Sequence, residues 1–563
     1  VAAQDGRQGS ALGKSATAPK FDPLADDVAF PCLSEGELAE ARVFGECCAF
    51  RAGEPLVSAG QFPFHSYVIL SGSVRVVDTS TDEPTIFVRY GAGYFTGDID
   101  LFTGRPSLVT CEAETPVEAL RLTADRLRQM FMQRVALGER FWRSFQCRRA
   151  LLLKSEFRGV NVFGSKYDRD TLDAVELLYR NNVPHYWIDT SIETNARKLG
   201  LLKGDVQRYP VIALGQQFLC EAPTRRELAE FVGLRRKLPK TTHDVLILGA
   251  GPSGLGAAVY AASEGLSTLV MDSMGPGGQA GSSSRIENYA GYPNGIGGRE
   301  LAHLTYLQAL KFGADFVAPS TVSGIAPTTD GYYRVRSSEG DCATARTVII
   351  ATGLSYGRLE ANGLDALRGP GIHHNATRVE ALLCKGSRVH VVGSGNSAGQ
   401  AAMFLSQEAT AVSLLVRGDK VKMSQYLAQR LLSNEKVRIH FHTEVASIEG
   451  TRALEAVWFR DGDGALTREE SAGLFVFVGG KPLTDFLPAR VAKDERGFVL
   501  TGSAVASHPL WGESRLPFTL ETTLPGVFAS GDCRSGTTKR VAFAIGDGAL
   551  AITCVHDFLR DSR

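Results

Sequence analysis

The period of the hydrophobic pattern changes several times along the chain, and each change predicts a different kind of module. From about Phe50 to Leu122, short apolar runs alternate with polar positions and break at glycines. Residues 67–77 predict a hairpin of two strands, and Gly53, Gly60, Gly91 and Gly93 fall where tight corners belong. From Asp125 to Ser155 the spacing becomes helical. Leu127, Met130, Phe131, Phe141 and Phe145 share one side, which predicts a single long connector or dimer helix. Its arginines (Arg126, Arg128, Arg134, Arg140, Arg143, Arg148 and Arg149) read as a solvated face and partner surface rather than a nucleic-acid site. Residues 158–235 then predict a strand (160–163), a helix (171–181), two further strands (185–189 and one opening at 209–212) and a closing helix (225–232). Beyond residue 243, apolar runs such as Val245-Leu246-Ile247-Leu248 lead straight into glycine loops, the mark of parallel strands buried on both faces.

Composition narrows this picture without changing it. At 563 residues the chain has room for three or four domains of roughly 100–200 residues each. Lys+Arg and Asp+Glu both number 61, so neither a nucleic-acid track nor a polybasic membrane patch is expected. No apolar run approaches the roughly 18 residues that span a bilayer, and the first twenty residues carry no hydrophobic signal core. Residues 1–27 read as a disordered tail, and the location expected is cytoplasmic. The ten cysteines are scattered, with only Cys47 and Cys48 adjacent, which indicates neither a disulfide framework nor a metal site.

The strongest chemical signal is a pair of glycine loops. Asp244-Val245-Leu246-Ile247-Leu248 enters Gly249-Ala250-Gly251-Pro252-Ser253-Gly254 and then a helix. Such glycines let backbone approach a pyrophosphate, and the helix N-terminus faces its charge. Asp272 closes the next strand, placed to hold a ribose hydroxyl. The second loop, Gly393-Ser394-Gly395-Asn396-Ser397-Ala398, follows the strand ending at Val392. Arg417, after the following strand, offers a partner for a 2′-phosphate, with Lys420 and Lys422 as helpers; Asp419 and a purely surface role for Arg417 leave NADH open beside NADPH.

Three resemblances follow from these residues. Residues 28–157 resemble a cyclic-nucleotide-binding barrel with its connecting helix. Its phosphate cassette would begin at Gly97, with Asp98 where the family has Glu and Ser107 where it has the phosphate-pairing Arg. A hydroxyl cannot supply a charge-assisted pair. Arg105 could replace it only in a rebuilt loop, so a structural barrel and a working nucleotide sensor both stay open. Residues 158–235 resemble a glutaredoxin/thioredoxin-like domain, including a proline (Pro210) of the kind that is cis in that family. The stretch that should carry its Cys-x-x-Cys reads Ser165-Lys166-Tyr167-Asp168-Arg169-Asp170, so a docking or structural module is expected.

Residues 243–563 resemble low-molecular-weight bacterial thioredoxin reductase. The match rests on the first loop and, in order, Gly277-Gly278-Gln279-Ala280, Arg285-Ile286-Glu287-Asn288-Tyr289, Ile349-Ile350-Ala351-Thr352-Gly353 and Gly526-Val527-Phe528-Ala529-Ser530-Gly531-Asp532. The resemblance implies two Rossmann-like α/β domains, FAD on 243–360 with 484–563 and NADPH on 361–483, in a homodimer. It implies FAD contacts at Gly249, Gly251, Pro252, Ser253, Gly254 and Asp272 in the first loop and strand, and at Gly277, Gly278, Gln279 and Asn288 beside the ring. Further contacts are implied at Gly353, Gly531 and Asp532, with Lys539, Arg540, Val541 and Ala542 along the pyrimidine edge. For the nicotinamide cofactor it implies Gly393, Gly395, Asn396, Ser397, Ala398 and Arg417. The family's redox Cys-Ala-Thr-Cys turn is here Asn375-Ala376-Thr377-Arg378. Without sulfur, that turn cannot form the mixed disulfide of thiol exchange. His374, Asn375 and Arg378 become candidates for the flavin face, packing being the alternative. The isolated Cys384 and Cys533 read as buried, inert thiols. The expectation is a multidomain FAD-dependent NAD(P)H oxidoreductase passing electrons to an external acceptor: a ferredoxin-like protein, a quinone or another small oxidant. The alternative is a signalling flavoprotein regulated by a cyclic nucleotide or by its own redox state.

Overall fold

The computed structural model describes residues 21–561 apart from 22, 24–25, 79–83, 155–158, 196–207, 215–216, 220–221, 235–237, 358, 365–366 and 368–370. The chain divides into two compact units: Val1–Asn161 with Pro184–Tyr186 and Ala213–Phe218, and Val162–Val183 with Trp187–Ile212 and Leu219–Arg563.

In the first unit two antiparallel sheets enclose an aromatic core. One runs Glu46–Phe50, Val117–Leu122, Ser66–Ser71; the other runs Pro55–Val57, Thr110–Ala113, Val74–Asp78, Thr85–Tyr90. The expected hairpin at 67–77 is therefore a corner: its two strands lie in different sheets. Gly72 makes the bend at φ +83°, where a Cβ would stand 2.2 Å from the Pro116 carbonyl oxygen. The single helix expected over 125–155 is two, Ala124–Gln133 and Val135–Lys154. The break is at Arg134 (φ −131°, ψ 77°), and it folds Gly138 onto the backbone of Phe131. Phe141 from the second helix stacks on Phe95 of the barrel, ring centroids 3.8 Å apart. Arg148 and Arg149 are buried here, which corrects the reading of all these arginines as a solvated face. Residues 1–20 lie outside the described residues, but Phe21 donates its N–H to the Phe87 carbonyl (2.7 Å) and packs against that ring.

Strands Val160–Gly164, His185–Asp189, Val211–Leu214 and Gln217–Leu219 form a four-stranded sheet with helices Arg169–Arg180 and Arg225–Phe231, and the Tyr209–Pro210 bond is cis. The largest sheet is built around Thr242–Leu248, parallel to Thr268–Met271 on one side and Cys342–Ile350 on the other. Val245 to Leu248 are wholly buried, as a strand covered on both faces requires. Val527–Ala529 returns to the same sheet beside Cys342–Ile350. The inserted domain repeats the arrangement, with Arg388–Val392 between Ala411–Val416 and Gly473–Val476. The antiparallel pair Leu354–Tyr356 and Gly480–Pro482 carries the chain into the inserted domain and back.

The C-terminal helix Val541–Asp561 is the one described helix long and apolar enough to cross a membrane by length and composition, which the search for unbroken apolar runs passed over. Here it lies along Pro252–Ser263, so closely at Gly548 that a Cβ would stand 2.1 Å from the Ser253 carbonyl oxygen.

Candidate functional site

Steric demands explain the first glycine loop. At Gly249 (φ +110°) a Cβ would lie 2.5 Å from the Ala351 carbonyl oxygen, and at Gly254 one would lie 1.8 Å from the Gly249 carbonyl oxygen. The strand, the loop and the helix can close together only without side chains at these two positions. The N-cap of helix Pro252–Ser263 is Gly251, which supplies no side-chain cap. Its leading N–H groups are therefore left for an anion.

This N-terminus opens on a cavity of about 560 Å³. Its wall includes Gly249, Gly251, Pro252, Ser253 and Asp272 around the first loop, Gly278, Gln279 and Asn288, and Gly353, Asp532 and residues 539–542. Asp272 accepts the N–H groups of Ala250 (2.7 Å), Met274 and Gly275 (both 2.8 Å), which ties the second strand to the loop. Lys539 donates to the Asp532 carbonyl (3.0 Å) and stands over the Phe498 ring. Burial holds the Lys539 ammonium below its usual pKa and pushes the Asp532 carboxyl up.

Gly277, Gly254 and Gly531 do not line this cavity. Their part is in the backbone: Gly277 N–H bonds the Ala250 carbonyl (2.8 Å), and a Cβ on Gly531 (φ +69°) would stand 2.7 Å from the Ser253 Cβ. Cys533 is fully buried, with its thiol pushed up to about 11 by burial, and Cys384 is pushed up to about 12 for the same reason.

The second loop works by the same geometry. Gly393 has φ +142° with a Cβ position 2.8 Å from the Phe477 carbonyl oxygen, and Gly395 caps helix Asn396–Leu405 without a side chain. Asn396 and Ser397, with Gln400 and Ala401 from the same helix, reach the 560 Å³ cavity, so both fingerprint helices border one space. Tyr356 on the crossover strand bonds Ser397 Oγ at 2.9 Å. Gly393, Gly395, Ala398 and Arg417 are not in that wall. Arg417 is exposed, 3.7 Å from Glu444, at the outer end of its strand. Tyr356, Gln400, Phe477 and Arg180 line the cavity with no local signal in the sequence; only the folded crossover brings them there.

The sulfur-free turn lies beside a second cavity, of about 670 Å³, with His374 and Asn375 in its wall. His373 stacks on Phe475 (4.9 Å), and burial pushes its pKa down to about 4, so its ring is neutral at physiological pH. Asn375 Oδ1 is buried without a hydrogen-bond partner. The Arg378 side chain lies outside the described residues; its backbone begins helix Arg378–Leu383.

In the barrel, the cassette residues bond among themselves and to the helix Val135–Lys154. Arg149 reaches both Asp98 (2.5 Å) and Asp100, Arg105 is 3.9 Å from Asp100, and Ser107 donates to the Val109 carbonyl (2.8 Å). Burial raises the Asp98 pKa despite Arg149. Arg148 donates to the carbonyls of Ala29 and Gly97, lies 4.7 Å from the Phe95 centroid, and leaves Nη2 unpartnered. The cavity beside these groups measures about 80 Å³.

Two nucleotide-type helix N-termini on one cavity define a two-domain dinucleotide-dependent oxidoreductase. The chain belongs to the pyridine nucleotide-disulphide oxidoreductase family, whose model matches residues 243–548, and within it this half is thioredoxin reductase-like. Residues 48–134 match the cyclic nucleotide-binding domain family. The chain is 32% identical over 321 residues to the thioredoxin reductase of Treponema pallidum, covering 57% of this chain and 98% of that protein. Among solved structures, the thioredoxin reductase of Lactococcus lactis in its FR conformation superposes with TM-score 0.51 at 28% identity, over 57% of this chain and all of that one. That of T. acidophilum gives TM-score 0.50 at 31% identity, over 56% of this chain and 98% of that one.

Proposed function

We propose that the chain is an FAD-dependent oxidoreductase that oxidises NADPH and delivers the electrons to an external acceptor without a protein dithiol. The observation that carries this reading is the 560 Å³ cavity bordered by both fingerprint helices. The donor set fits the two cofactors: uncapped helix N-termini for pyrophosphates, glycine surfaces for close approach, and Asp272 beside the first loop. When bound, the pair supplies hydride transfer from nicotinamide to flavin. The residues of the chain hold and orient: Lys539 and the N-terminus of Val541–Asp561 place positive potential at one end of the cavity, which favours an electron-rich ring there. Arg417, with Lys420 and Lys422 close in sequence, supports NADPH over NADH.

Disulfide exchange through the turn is outside this reading, because residues 375 and 378 are Asn and Arg. The thioredoxin-like module, lacking thiols on its first strand-to-helix junction, serves as a structural wall. The barrel's match makes a cyclic nucleotide its candidate ligand, and regulation by one is the second reading; the Arg149 pairs with Asp98 and Asp100 and the space of about 80 Å³ weigh against tight binding. Anaerobic NADPH added to the purified flavoprotein is expected to bleach the flavin absorbance near-stoichiometrically. A flavin that stays oxidised under excess NADPH and NADH overturns the reading.

A further inference from the structure

The module without thiols stands where it changes what can reach the turn. Its helix Arg169–Arg180 supplies Arg169, Leu172, Asp173, Glu176, Tyr179 and Arg180 to the wall of the 670 Å³ cavity. The opposite wall includes Ile372, His373, Asn375 and Glu380 of the inserted domain. Arg180, Gly278 and Ser282 also line the 560 Å³ cavity, so the two spaces share part of one wall.

The helix end is seated firmly. Asn181 is buried and donates its side-chain amide to the Met274 carbonyl (2.7 Å), just beyond Asp272. It fills the space over Gly275, where a Cβ would stand 2.7 Å from that amide. Arg299 of the FAD domain donates to the Tyr179 carbonyl (2.7 Å) and Asn182 Oδ1 (3.0 Å), with its guanidinium 3.3 Å from the Tyr179 ring centroid.

A helix fixed across this position leaves a chamber the size of a small-molecule site, which runs roughly 300–1,000 Å³. A protein acceptor of the electron-transfer kind needs an open surface approaching roughly 600 Å² per partner around its contact point. The wall also has a chemical character. Leu172, Leu359, Leu364 and Ile372 supply apolar surface for a flat ring, within a lining that also carries Arg169, Asp173, Glu176, Arg180, Arg299 and Glu380. His373, neutral and stacked on Phe475, and the Asn375 amide supply uncharged hydrogen-bonding groups. Asn375 lies in the wall, its Oδ1 is buried, and its amide N–H is the group able to donate to a quinone carbonyl.

We propose that this chamber is the acceptor site and that it takes a quinone, an apolar ring bearing two carbonyl oxygens. The proposal rests on the reading above. The reaction balances as one nicotinamide C–H hydride and one solvent proton used per quinone. Both carbonyl oxygens become hydroxyls, and NADP+ and hydroquinone leave. Asn375 and Leu172 are binding residues for this acceptor.

The test uses the full-length oxidised flavoprotein and duroquinone, whose ring has no free position for thiol addition. Binding is followed by calorimetry without NADPH, so turnover plays no part. Wild type is expected to bind duroquinone at micromolar concentration. Leu172→Trp, which fills the chamber from the module side, is expected to weaken binding at least tenfold. Asn375→Leu, which keeps the branched shape and removes the amide, is expected to weaken it about fivefold, and flavin content per chain reports folding of both. Absence of duroquinone binding, or equal affinity in wild type and both variants, overturns the proposal. Rapid NADPH-dependent reduction of a small ferredoxin by wild type, unaltered by Leu172→Trp, overturns it in favour of a protein acceptor. Bleaching of the wild-type flavin by NADPH is measured on the same sample, so failure of the acceptor site is told apart from failure of the donor reading.

Discussion

The barrel and the reductase-like half differ in what fills the space at their expected ligand positions. In the barrel, Arg149 pairs with Asp98 and Asp100, Arg148 donates to the Gly97 carbonyl, and the cavity beside them measures about 80 Å³. In the reductase-like half, cavities of about 560 and 670 Å³ lie beside the glycine loops and beside the Asn375-Ala376-Thr377-Arg378 turn. The difference lies in what each site is made of. The barrel's cassette relies on side-chain charge, and a neighbouring helix can supply that charge from inside. The dinucleotide cradle is made of backbone and of missing side chains, so its shape does not depend on the residues of the turn.

Several substitutions test whether backbone and charge divide the molecule in this way. The largest effect is expected at Gly254. A Cβ there would meet the Gly249 carbonyl oxygen at 1.8 Å, so Gly254→Ala must push helix and loop apart. Flavin content per purified chain, read as the ratio of flavin to protein absorbance, is expected to fall by about tenfold, a change of ~1.4 kcal/mol in cradle affinity. A Gly254→Ala chain with full flavin would break the claim that glycine sterics shape the cradle.

Next in size is Arg149→Met in the barrel. Removing one guanidinium leaves the buried Asp100 and the partly buried Asp98 facing each other, and breaking a buried pair costs about 3–5 kcal/mol. Urea denaturation followed by Trp142 fluorescence, in a chain whose other three tryptophans are replaced by Phe, is expected to show the barrel's unfolding free energy falling by up to that amount. Reversion of the acids as well, in Asp98→Asn with Asp100→Asn on the Arg149→Met background, is expected to recover part of the loss. An unfolding free energy unmoved by Arg149→Met would show that the cassette is not held by charge.

A smaller effect is expected in the inserted domain, where charge stabilises scaffold rather than site. Glu469 accepts bonds from His390 and Ser413 beside Arg388, and these hold its pKa down to about 2 from the ordinary 4.5. A carboxylate whose folded pKa is depressed adds stability at pH above its unfolded value and loses it as pH falls toward the folded one. Stability is therefore expected to drop between pH 4.5 and 2, and Glu469→Gln to flatten that part of the profile in acid-titrated thermal melts.

How much of this was legible in the sequence follows the same division. The glycine loops could be read because each glycine answers a local steric demand, and strand, turn and helix are contiguous around it. Asn375 and Arg378 were legible only through a resemblance, because Ala376 and Thr377 keep the register of the family's turn between them. The inward turn of Arg148 and Arg149 could not be read, since helical spacing gives a face but not what packs on it. The break at Arg134 was hidden too: Arg134 is an ordinary helix former, and only the packing of Gly138 on Phe131 demands the turn. Nor could the seat of Asn181 over Gly275 be seen, because it joins residues far apart in the chain whose pairing depends on the tertiary fold.

The smallest expected effect bears on the barrel's ligand. With Asp98 held by Arg149 and Ser107 bonded to the Val109 carbonyl, cyclic AMP is expected to bind wild type no more tightly than about millimolar in calorimetry. Ser107→Arg restores a cation at the cassette position, and a charge-assisted pair to a phosphate is worth about 1.5–3 kcal/mol in a neutral-to-charged exchange. Part of that gain must be used to reopen a space of about 80 Å³, so the net improvement is expected to be near tenfold. Tight binding by wild type would mean that Arg148, with its free Nη2, already serves as the phosphate partner and that the barrel only looks closed. No gain in Ser107→Arg would mean that the internal Arg149 pairs hold the cassette shut more firmly than one added charge can overcome.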